Sequence, residues 1–329
     1  MKRSAFLKGN AFSFGKTIKR MKSIHFSSCI LCDTVKAEKK QGEMCMNQHF
    51  WKYIAGLLIF GSNGIVASHI DLTSYEIVYL RSGIGGVALV LFFLLMRQGC
   101  KALQYKKEFI FLVLAGAAMG FNWLFLYEGY REIGVGTATL MCYCGPVIVM
   151  ALGPVLFQEK LTRNKCLGFL AVFLGILCIN GQAFQEGKTL WGLFCGAMAG
   201  VTYAVLVIFN KKAEHITGLE NSMFQTICSF LVVAVFMLHQ QGLTVEIPQG
   251  DWVPVLLLGL VNTGLGCYLY FSAISRLPVQ TVAICGYLEP LAAVVLSAIL
   301  LGEGMGILQM LGTVLILGGA MFAEMRGHQ

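Results

Sequence analysis

Charged residues are scarce in this sequence: only 13% of its 329 residues are Asp, Glu, Lys or Arg, whereas 57% are hydrophobic. A soluble domain usually carries about 25% charged residues, so this chain lacks the polar surface that a soluble protein of its length needs. Apolar runs of about 20 residues recur along it, long enough for a helix to cross the roughly 30 Å hydrocarbon layer of a bilayer. The scarcity of charge therefore predicts an all-α integral membrane protein.

Histidine and aspartate are missing from the interior of the apolar runs, which argues against a membrane-embedded enzyme. Of the six histidines, only His69 touches a run, at its very end. No HExxH pattern or paired-carboxylate site appears. The Walker A pattern GxxxxGK[ST] is also missing, so we do not expect this chain to hydrolyse ATP. We predict no catalysis, no metal and no cofactor.

The first 50 residues lack a long apolar run and hold ten Lys or Arg residues. No apolar stretch of roughly 7–15 residues follows the basic start, so we recognise no secretory signal peptide. Cys29 and Cys32 form a lone CxxC pair, without the second pair of ligands that a zinc site needs. We predict a disordered, basic cytoplasmic tail over residues 1–50. Met44 and Met46 lie just before the first apolar run, so residues 1–43 could also reflect a start codon assigned too far upstream.

Ten apolar runs, joined by short connections, are candidate membrane spans. Backbone groups in lipid must be hydrogen-bonded within their own segment, so we expect each run to be an α-helix. The predicted spans lie near residues 51–70, 75–96, 108–128, 134–157, 165–181, 189–210, 222–238, 252–273, 279–301 and 306–324.

Lys and Arg are distributed unevenly over the loops, and this predicts the orientation, because cytoplasmic loops carry the excess of these residues. Of the 25 Lys and Arg residues, 22 lie on the side of the N-terminal tail, only Arg131 and Lys188 lie on the opposite side, and Arg81 is inside the second span. We therefore predict a multi-pass protein of the cell membrane with both termini in the cytoplasm. The net charge of +8 then reflects topology and does not indicate nucleic-acid binding.

The second part of the chain repeats the first: shifted by 144 positions, residues 114–175 align with residues 258–319 without a gap. Each copy holds five predicted spans, and because five is odd, the second copy enters the membrane from the opposite face. Inverted repeats are the usual frame of secondary transporters, with the substrate site near mid-membrane between the halves. A duplication kept only for packing, as in some channels, is the alternative. The matched pairs include Gly120 with Gly264, Thr137 with Thr281, Tyr143 with Tyr287, Pro146 with Pro290, Glu159 with Glu303, Gly168 with Gly312, and Gly175 with Gly319.

Short motifs recur in the same order in both halves and carry a family resemblance. The motifs are Gly120–Gly129 (GFNWLFLYEG), Gly145-Pro146, Glu159-Lys160-Leu161-Thr162, Leu167-Gly168, Tyr287-Leu288-Glu289-Pro290, Leu301-Gly302-Glu303 and Leu311-Gly312. Together they resemble the EamA branch of the drug/metabolite transporter superfamily, over residues 51–324. The resemblance implies two five-helix repeats (51–182 and 189–324) in inverted topology, a central cavity, and transport of small metabolites, often outward.

Glu289 is the strongest candidate for a transport residue, because it lies about ten residues into the predicted ninth span. An ionised carboxylate at that depth is costly, so such residues usually face a cavity or a partner. The adjacent Pro290 removes a backbone donor and disturbs the helix, as Pro146 does in the first half. Glu289 could bind an amine or carry a coupling proton, and a purely structural carboxylate is an equally good interpretation.

Other polar residues in the spans could line the cavity, although packing between helices is the more common role of such groups. Tyr143 and Tyr287 each lie three residues before a helix proline. Arg81 could bind a substrate carboxylate, or pair with a glutamate such as Glu76, Glu128 or Glu289. Glu159 and Glu303, at span ends, are predicted to cap or gate. The remaining candidates are Asn63, Asn122, Trp123, Tyr203, and the polar stripe Asn262, Gly266 and Tyr270, spaced i, i+4 and i+8.

We predict a secondary transporter that exports a small metabolite (an amino acid, an amine or a related compound) by alternating access. Protons are a candidate coupling ion, and the lipid bilayer is the other expected partner. A facilitative, channel-like permease is the alternative and would show neither saturation nor counter-flow, and a membrane-embedded enzyme is less well supported. The substrate, the direction, the coupling ion and the oligomeric state do not follow from the sequence.

Overall fold

The computed structural model describes residues 48–97, 99–145, 148–149, 152, 163–185, 189–274, 277, 285–304 and 306–325. All regular secondary structure in these ranges is helical. Residues 1–47 of the predicted N-terminal tail, Pro146 and Glu159 lie outside the described residues, whereas residues 48–50, predicted as the end of the tail, are helical. The helices are named α1 to α10 in chain order.

Helices α1 to α5 belong to the first predicted repeat. Helix α1 is interrupted by a turn at Ser62, and α4 is separated from α3 by Gly134, whose φ of +86° favours glycine. Thr73 and Glu76 form a capping box at the start of α2, each side chain accepting a hydrogen bond from the other's backbone N–H. The bounds are Gln48–Ala67 for α1, Ser74–Leu95 for α2, Lys106–Ile133 for α3, Val135–Cys142 for α4 and Arg163–Gln185 for α5.

Helices α6 to α10 belong to the second predicted repeat. Two of them change their winding: α8 contains a π-helical segment at Leu257–Leu265, and α9 ends in another at Ser297–Leu301. Single π turns inside longer helices occur frequently at functional sites. The bounds are Leu190–Lys211 for α6, Gly218–Gln240 for α7, Gln249–Ala273 for α8, Leu288–Leu301 for α9 and Ile307–Met325 for α10.

Within the described residues, six helices are long and apolar enough to cross a membrane, namely α1, α2, α3, α6, α7 and α8. Their bounds lie within about five residues of the predicted spans. Shorter apolar stretches lie in α5 (Cys166–Ile179), α9 (Leu288–Leu301) and α10 (Ile307–Gly319). The fourth predicted span is described as helix only in part. Membrane crossing by all ten segments, and the inverted repeat itself, therefore stay predictions.

Large apolar side chains cover the outside of the helices, as expected where lipid replaces water. Leu95 is 79% exposed, Val253 is 76% exposed and Ile307 is 86% exposed. The inside holds several polar residues, of which Arg81 and Thr263 are at most 1% exposed. This polarity, with apolar groups outside and polar groups inside, is that of a helical membrane protein.

Helices α5 and α10 pack closely along a line of glycines. A Cβ atom placed on Gly175 would lie 2.7 Å from the carbonyl oxygen of Gly312, and one on Gly319 would lie 3.1 Å from the carbonyl oxygen of Gly168. Glycine is needed at Gly175 because a side chain there would meet rigid backbone. Small residues at such crossings let helix backbones approach each other in membranes.

Candidate substrate site

Glu289 lies in the first turn of α9, where this helix packs against α4. The hydroxyl of Tyr143, directly after α4, donates a hydrogen bond to the Glu289 carboxylate. Residue Glu289 keeps an intermediate exposure, whereas Tyr143 is only 6% exposed and Pro290 is buried. Tyr143 therefore holds the carboxylate, and Glu289 is the less buried of the two residues.

Five tyrosines from different parts of the chain surround this carboxylate, and we call them the tyrosine cluster. The ring centroid of Tyr143 lies 6.3 Å from that of Tyr287 and 6.1 Å from that of Tyr203 on α6. Tyr270 on α8 is hydrogen-bonded to Tyr203 and to Tyr53 on α1, and its ring centroid is 5.4 Å from that of Tyr53. Helices α1, α4, α6, α8 and α9 thus converge on one aromatic and hydroxyl-rich region.

The exposures inside the tyrosine cluster are unequal. Tyr53, Tyr143 and Tyr287 are nearly completely buried, at 1%, 6% and 5%. Tyr203 and Tyr270 keep an intermediate exposure, as Glu289 does. Tyr203, Tyr270 and Glu289 are therefore the residues of the site that are not fully buried, and we call them its accessible part.

Arg81 on α2 is 1% exposed and is held by neutral groups. Its Nε–H donates to Thr263 Oγ1 over 3.0 Å, and its Nη1 donates to the Tyr127 hydroxyl. The guanidinium also lies over the ring of Trp123, 4.5 Å from the ring centroid, which is a cation–π arrangement. One face of the Trp123 ring therefore lies against Arg81 and covers its guanidinium.

The glutamates proposed as partners of Arg81 near the ends of α2 and α3 bind other groups. Glu76 accepts from the backbone and hydroxyl of Thr73 and from Gln241. Glu128 accepts from Ser74 and from Trp191 Nε1, the latter over 3.2 Å. Within the part of the chain that the structure describes, neither of them forms an ion pair with Arg81.

The predicted asparagines connect helices. Asn122 Nδ2 donates to the carbonyl oxygen of Ala199 over 2.7 Å, and Asn262 Nδ2 donates to the carbonyl oxygen of Ile59 over 2.8 Å. Asn63 is 9% exposed, and its Oδ1 is buried without a hydrogen-bond partner among the residues described. These contacts match the interhelical role that polar groups commonly have in membrane proteins.

The predicted stripe of Asn262, Gly266 and Tyr270 faces α1. A Cβ on Gly266 would lie 2.7 Å from the Phe60 ring, and the Tyr270 ring centroid lies 5.6 Å from that of Phe60. The stripe therefore serves a helix contact over most of its length, and only Tyr270 belongs to the tyrosine cluster.

Glu303 lies apart from the tyrosine cluster, just after α9. Its carboxylate accepts hydrogen bonds from the backbone N–H groups of Val135 and Gly136, over 2.9 and 3.1 Å, at the start of α4. Next to it, Gln309 Nε2 donates to Thr137 Oγ1 over 2.7 Å. A carboxylate at a helix N-terminus satisfies free N–H groups and complements the helix dipole. The geometry is therefore that of a cap that joins the α9–α10 connection to α4.

The sequence profile of the EamA-like transporter family matches residues 50–181 and residues 190–325. The chain belongs to the EamA-like transporter family. It is accordingly a multi-pass membrane transporter with a small-molecule substrate. The first matched segment covers α1 to α5, apart from a few residues at the ends of α1 and α5, and the second covers α6 to α10.

Relatives of this EamA-family transporter align over most of its length. The chain is 26% identical to "Uncharacterized transporter YxxF" of Bacillus subtilis over 271 residues, covering 82% of this chain and 86% of that protein. It is 27% identical to the "Probable amino-acid metabolite efflux pump" of Salmonella typhimurium over 199 residues, covering 56% of this chain and 65% of that protein. One solved crystal structure aligns with a TM-score of 0.63 at 15% identity, over 86% of this chain and 99% of that chain, and supports the fold alone.

Three residues at or near the candidate site of this EamA-family transporter were not predicted from the sequence: Tyr53 in the tyrosine cluster, and Tyr127 and Thr263 beside Arg81. A buried tyrosine hydroxyl needs a partner, so the position of Tyr53 inside the first span was a usable signal. A buried arginine likewise needs acceptors. Nothing in the spacing indicated which distant residues supply them.

Proposed function

We propose that this EamA-family transporter is a secondary exporter, and that Glu289 and the tyrosine cluster form its substrate site. The observation that carries the proposal is Glu289, a residue that is not fully buried and whose carboxylate lies among tyrosines within or directly beside five helices of both predicted repeats. An ionisable group at this depth marks a substrate or ion pathway by default. The tyrosines provide ring faces and hydroxyl groups, which suit a small amphipathic metabolite.

The position of the site relative to the duplication supports this assignment. Tyr143 and Tyr287 are matched by the 144-residue shift, and their rings are also neighbours, 6.3 Å apart. In a two-fold arrangement, matched residues that contact each other lie beside the axis. Transporters with inverted repeats bind substrate at this interface of the halves, near mid-membrane.

The glycine contacts between α5 and α10 are also consistent with an inverted arrangement. The 144-residue shift takes Gly168 to Gly312 and Gly175 to Gly319. The contact of Gly175 with Gly312 and that of Gly319 with Gly168 are therefore exchanged by the repeat operation. Reciprocal contacts of this kind are expected at a two-fold interface.

Alternating access requires a closure on each side of the site, and Glu303 is our candidate on the outer side. The distribution of Lys and Arg predicts that the α3–α4 connection is extracellular, and Glu303 fastens α9 to that end of α4. The matched residue, Glu159, is the candidate for the cytoplasmic closure and lies outside the described residues. We further propose a location in the cell membrane with both termini in the cytoplasm.

Export, and not import, is proposed because the Salmonella relative is named an amino-acid metabolite efflux pump. Protons are the proposed coupling ion, since Glu289 is an accessible carboxylate within the helices. Without a coupling ion, the transporter would equilibrate its substrate along the substrate's own gradient.

The decisive experiment is transport by the purified full chain in proteoliposomes, with a panel of amino acids, amines and nucleobases. A carrier gives saturable uptake and counter-flow, whereas a channel-like permease gives neither. We expect Glu289→Gln to reduce transport strongly, and Glu246→Gln, at an exposed loop position, to leave it unchanged. Saturable transport that is insensitive to Glu289→Gln would refute the proposed site.

A further inference from the structure

Glu289, which lies among the tyrosines of the cluster, interacts electrostatically with one side chain of opposite charge, Arg81. A substrate that carried both an ammonium and a carboxylate group would need both charges within its reach. An amine without a carboxylate would need only the glutamate. The exposure and the contacts of the two side chains distinguish these cases.

Arg81 is closed off from the accessible part of the site. It is 1% exposed, its Nε is bonded to Thr263, and its planar head lies against Trp123. Tyr127, which accepts from Nη1, is itself only 2% exposed. A ligand carboxylate could reach this guanidinium only if Trp123 or Tyr127 moved away. Arg81 therefore acts as a structural cation that stabilises the packing of α2, α3 and α8.

Glu289 has the opposite character. Its carboxylate accepts from Tyr143, and the residue keeps an intermediate exposure. Tyr203 and Tyr270, which interact electrostatically with it, keep an intermediate exposure too. A carboxylate beside tyrosine faces combines an ion-pair partner with cation–π contacts, and these are the groups that recognise an ammonium ion.

A zwitterion would bind poorly in the same place. Its carboxylate would lie close to Glu289 and would find tyrosine hydroxyls, and among the described residues the cation near Glu289 is the buried Arg81. Burying an ionised group without a counter-charge is costly, and like charges at short distance repel each other. The site therefore discriminates against a carboxylate on the substrate.

We propose that the Glu289 site selects organic ammonium compounds, that is, amines with an apolar body and no carboxylate, over the corresponding amino acids. This inference rests on the proposed function, because it takes Glu289 and the tyrosine cluster as the substrate site. It goes further by assigning the charge that a substrate must carry.

The test uses three compounds that share one phenyl-bearing body and differ in charge: 2-phenylethylamine, phenylalanine and 3-phenylpropanoate. Counter-flow is measured with the purified full chain in proteoliposomes, with protein-free liposomes as the leak control. Binding is measured separately as ligand-induced thermal stabilisation, which does not depend on membrane leak. We expect 2-phenylethylamine to bind at least about tenfold more tightly than phenylalanine, and 3-phenylpropanoate not to bind.

Two variants connect the preference to the site. Glu289→Gln is expected to weaken 2-phenylethylamine binding by at least about tenfold, because the ion pair is lost. Glu246→Gln, the matched exposed control, is expected to change nothing. If Glu289→Gln does not fold, Glu289→Asp replaces it, because it keeps the charge and shortens the side chain. The comparison of the three compounds on the unmodified protein tests the preference for amines independently of either variant.

The outcomes separate the two proposals. Saturable transport of phenylalanine with no response to 2-phenylethylamine would overturn the ammonium inference and leave the exporter proposal intact. Absence of saturable transport for these compounds and for the wider panel would overturn both. Preference for the amine that disappears in Glu289→Gln supports both.

Discussion

The carboxylate of Glu303 accepts a hydrogen bond from the backbone N–H of Val135, 2.9 Å away, although 168 positions separate the two residues. The bond joins the end of α9 to the beginning of α4, and the neighbouring N–H of Gly136 doubles it. Free N–H groups at a helix start are normally capped by a residue of the same segment. Here the cap comes from the other predicted repeat, so one side chain both caps α4 and adds a contact between the repeats.

Replacing Glu303 by alanine should therefore weaken both the start of α4 and its contact with the end of α9. We expect a loss of about 1–2 kcal/mol of stability, since two backbone donors lose their acceptor. Thermal unfolding of the purified protein measures this, with Glu246→Ala as an exposed control. Equal unfolding temperatures for the Glu303 and Glu246 variants would show that the bond contributes nothing.

Thr263 holds Arg81 by a bond that a nearly isosteric substitution removes. Thr263→Val should cost about 1–3 kcal/mol, because the buried Nε–H would lose its acceptor. Thr244→Val, at an exposed position, is the matched control. A thermal unfolding profile of Thr263→Val that coincides with that of the unmodified protein would contradict this account of Arg81.

Gly175 should not tolerate even one added methyl group. The Cβ of Gly175→Ala would lie 2.7 Å from a backbone oxygen of α10, so the helices must separate, at a cost of about 1–3 kcal/mol. Gly181, in the same helix, has nothing within 4 Å of its Cβ position. Gly181→Ala should therefore leave stability unchanged, or raise it by up to about 1 kcal/mol, because alanine favours helix. Thermal unfolding of the two variants, measured side by side, compares them, and similar losses in both would rule out the proposed close contact.

Glu289 should determine how transport depends on pH if it carries the coupling proton. Transport measured across a range of pH values in the unmodified protein should change with protonation of this group, and the dependence should flatten in Glu289→Gln. The exposed Glu246→Gln variant should keep the original profile. An unchanged profile and rate in Glu289→Gln would reject proton coupling through this residue.

Opposite orientation of the two repeats has a direct topological consequence. A short epitope inserted after Lys160 should be reached from the cytoplasm, and one inserted after Gly304 from outside. Both positions follow matched spans, so they would lie on the same side if the repeats were parallel. Labelling of intact cells, compared with permeabilised cells, measures this. Access to both epitopes from one side would contradict the inverted repeat and the carrier mechanism with it.

The sequence predicted the long helices well because apolar length alone determines which segments can cross a bilayer. The second and sixth predicted spans lie within about one residue of α2 and α6. Hydropathy carries no information on winding, so the π-helical segments of α8 and α9 were not anticipated. The i, i+4, i+8 stripe was predicted for a regular α-helix, and its first member lies in the π-helical part of α8.

The substrate site itself stays a prediction, although some of the residues that lie together around Glu289 were selected from the sequence. Glu289, Tyr143 and Tyr270 were selected because polar groups are costly in lipid, and they lie close together in the structure. Tyr53 joined them without having been selected, because the packing of α1 against α8 is a long-range contact. Arg81 raised the same difficulty, since its partners Thr263 and Tyr127 come from α8 and α3 and no local pattern identifies them.

The π-helical segment of α8 has a consequence for the duplication. The matched stretch of α3, residues 113–121, is regular α-helix. The matched positions also carry different side chains: Thr263, which holds Arg81, corresponds to Met119, and Glu289 corresponds to Gly145. If the repeats are inverted, as proposed, the helix framework is pseudo-symmetric while the side chains inside it are not. We then expect the inward-open and outward-open forms to differ in substrate affinity, while the gradients of the substrate and of the coupling ion set the net direction of transport.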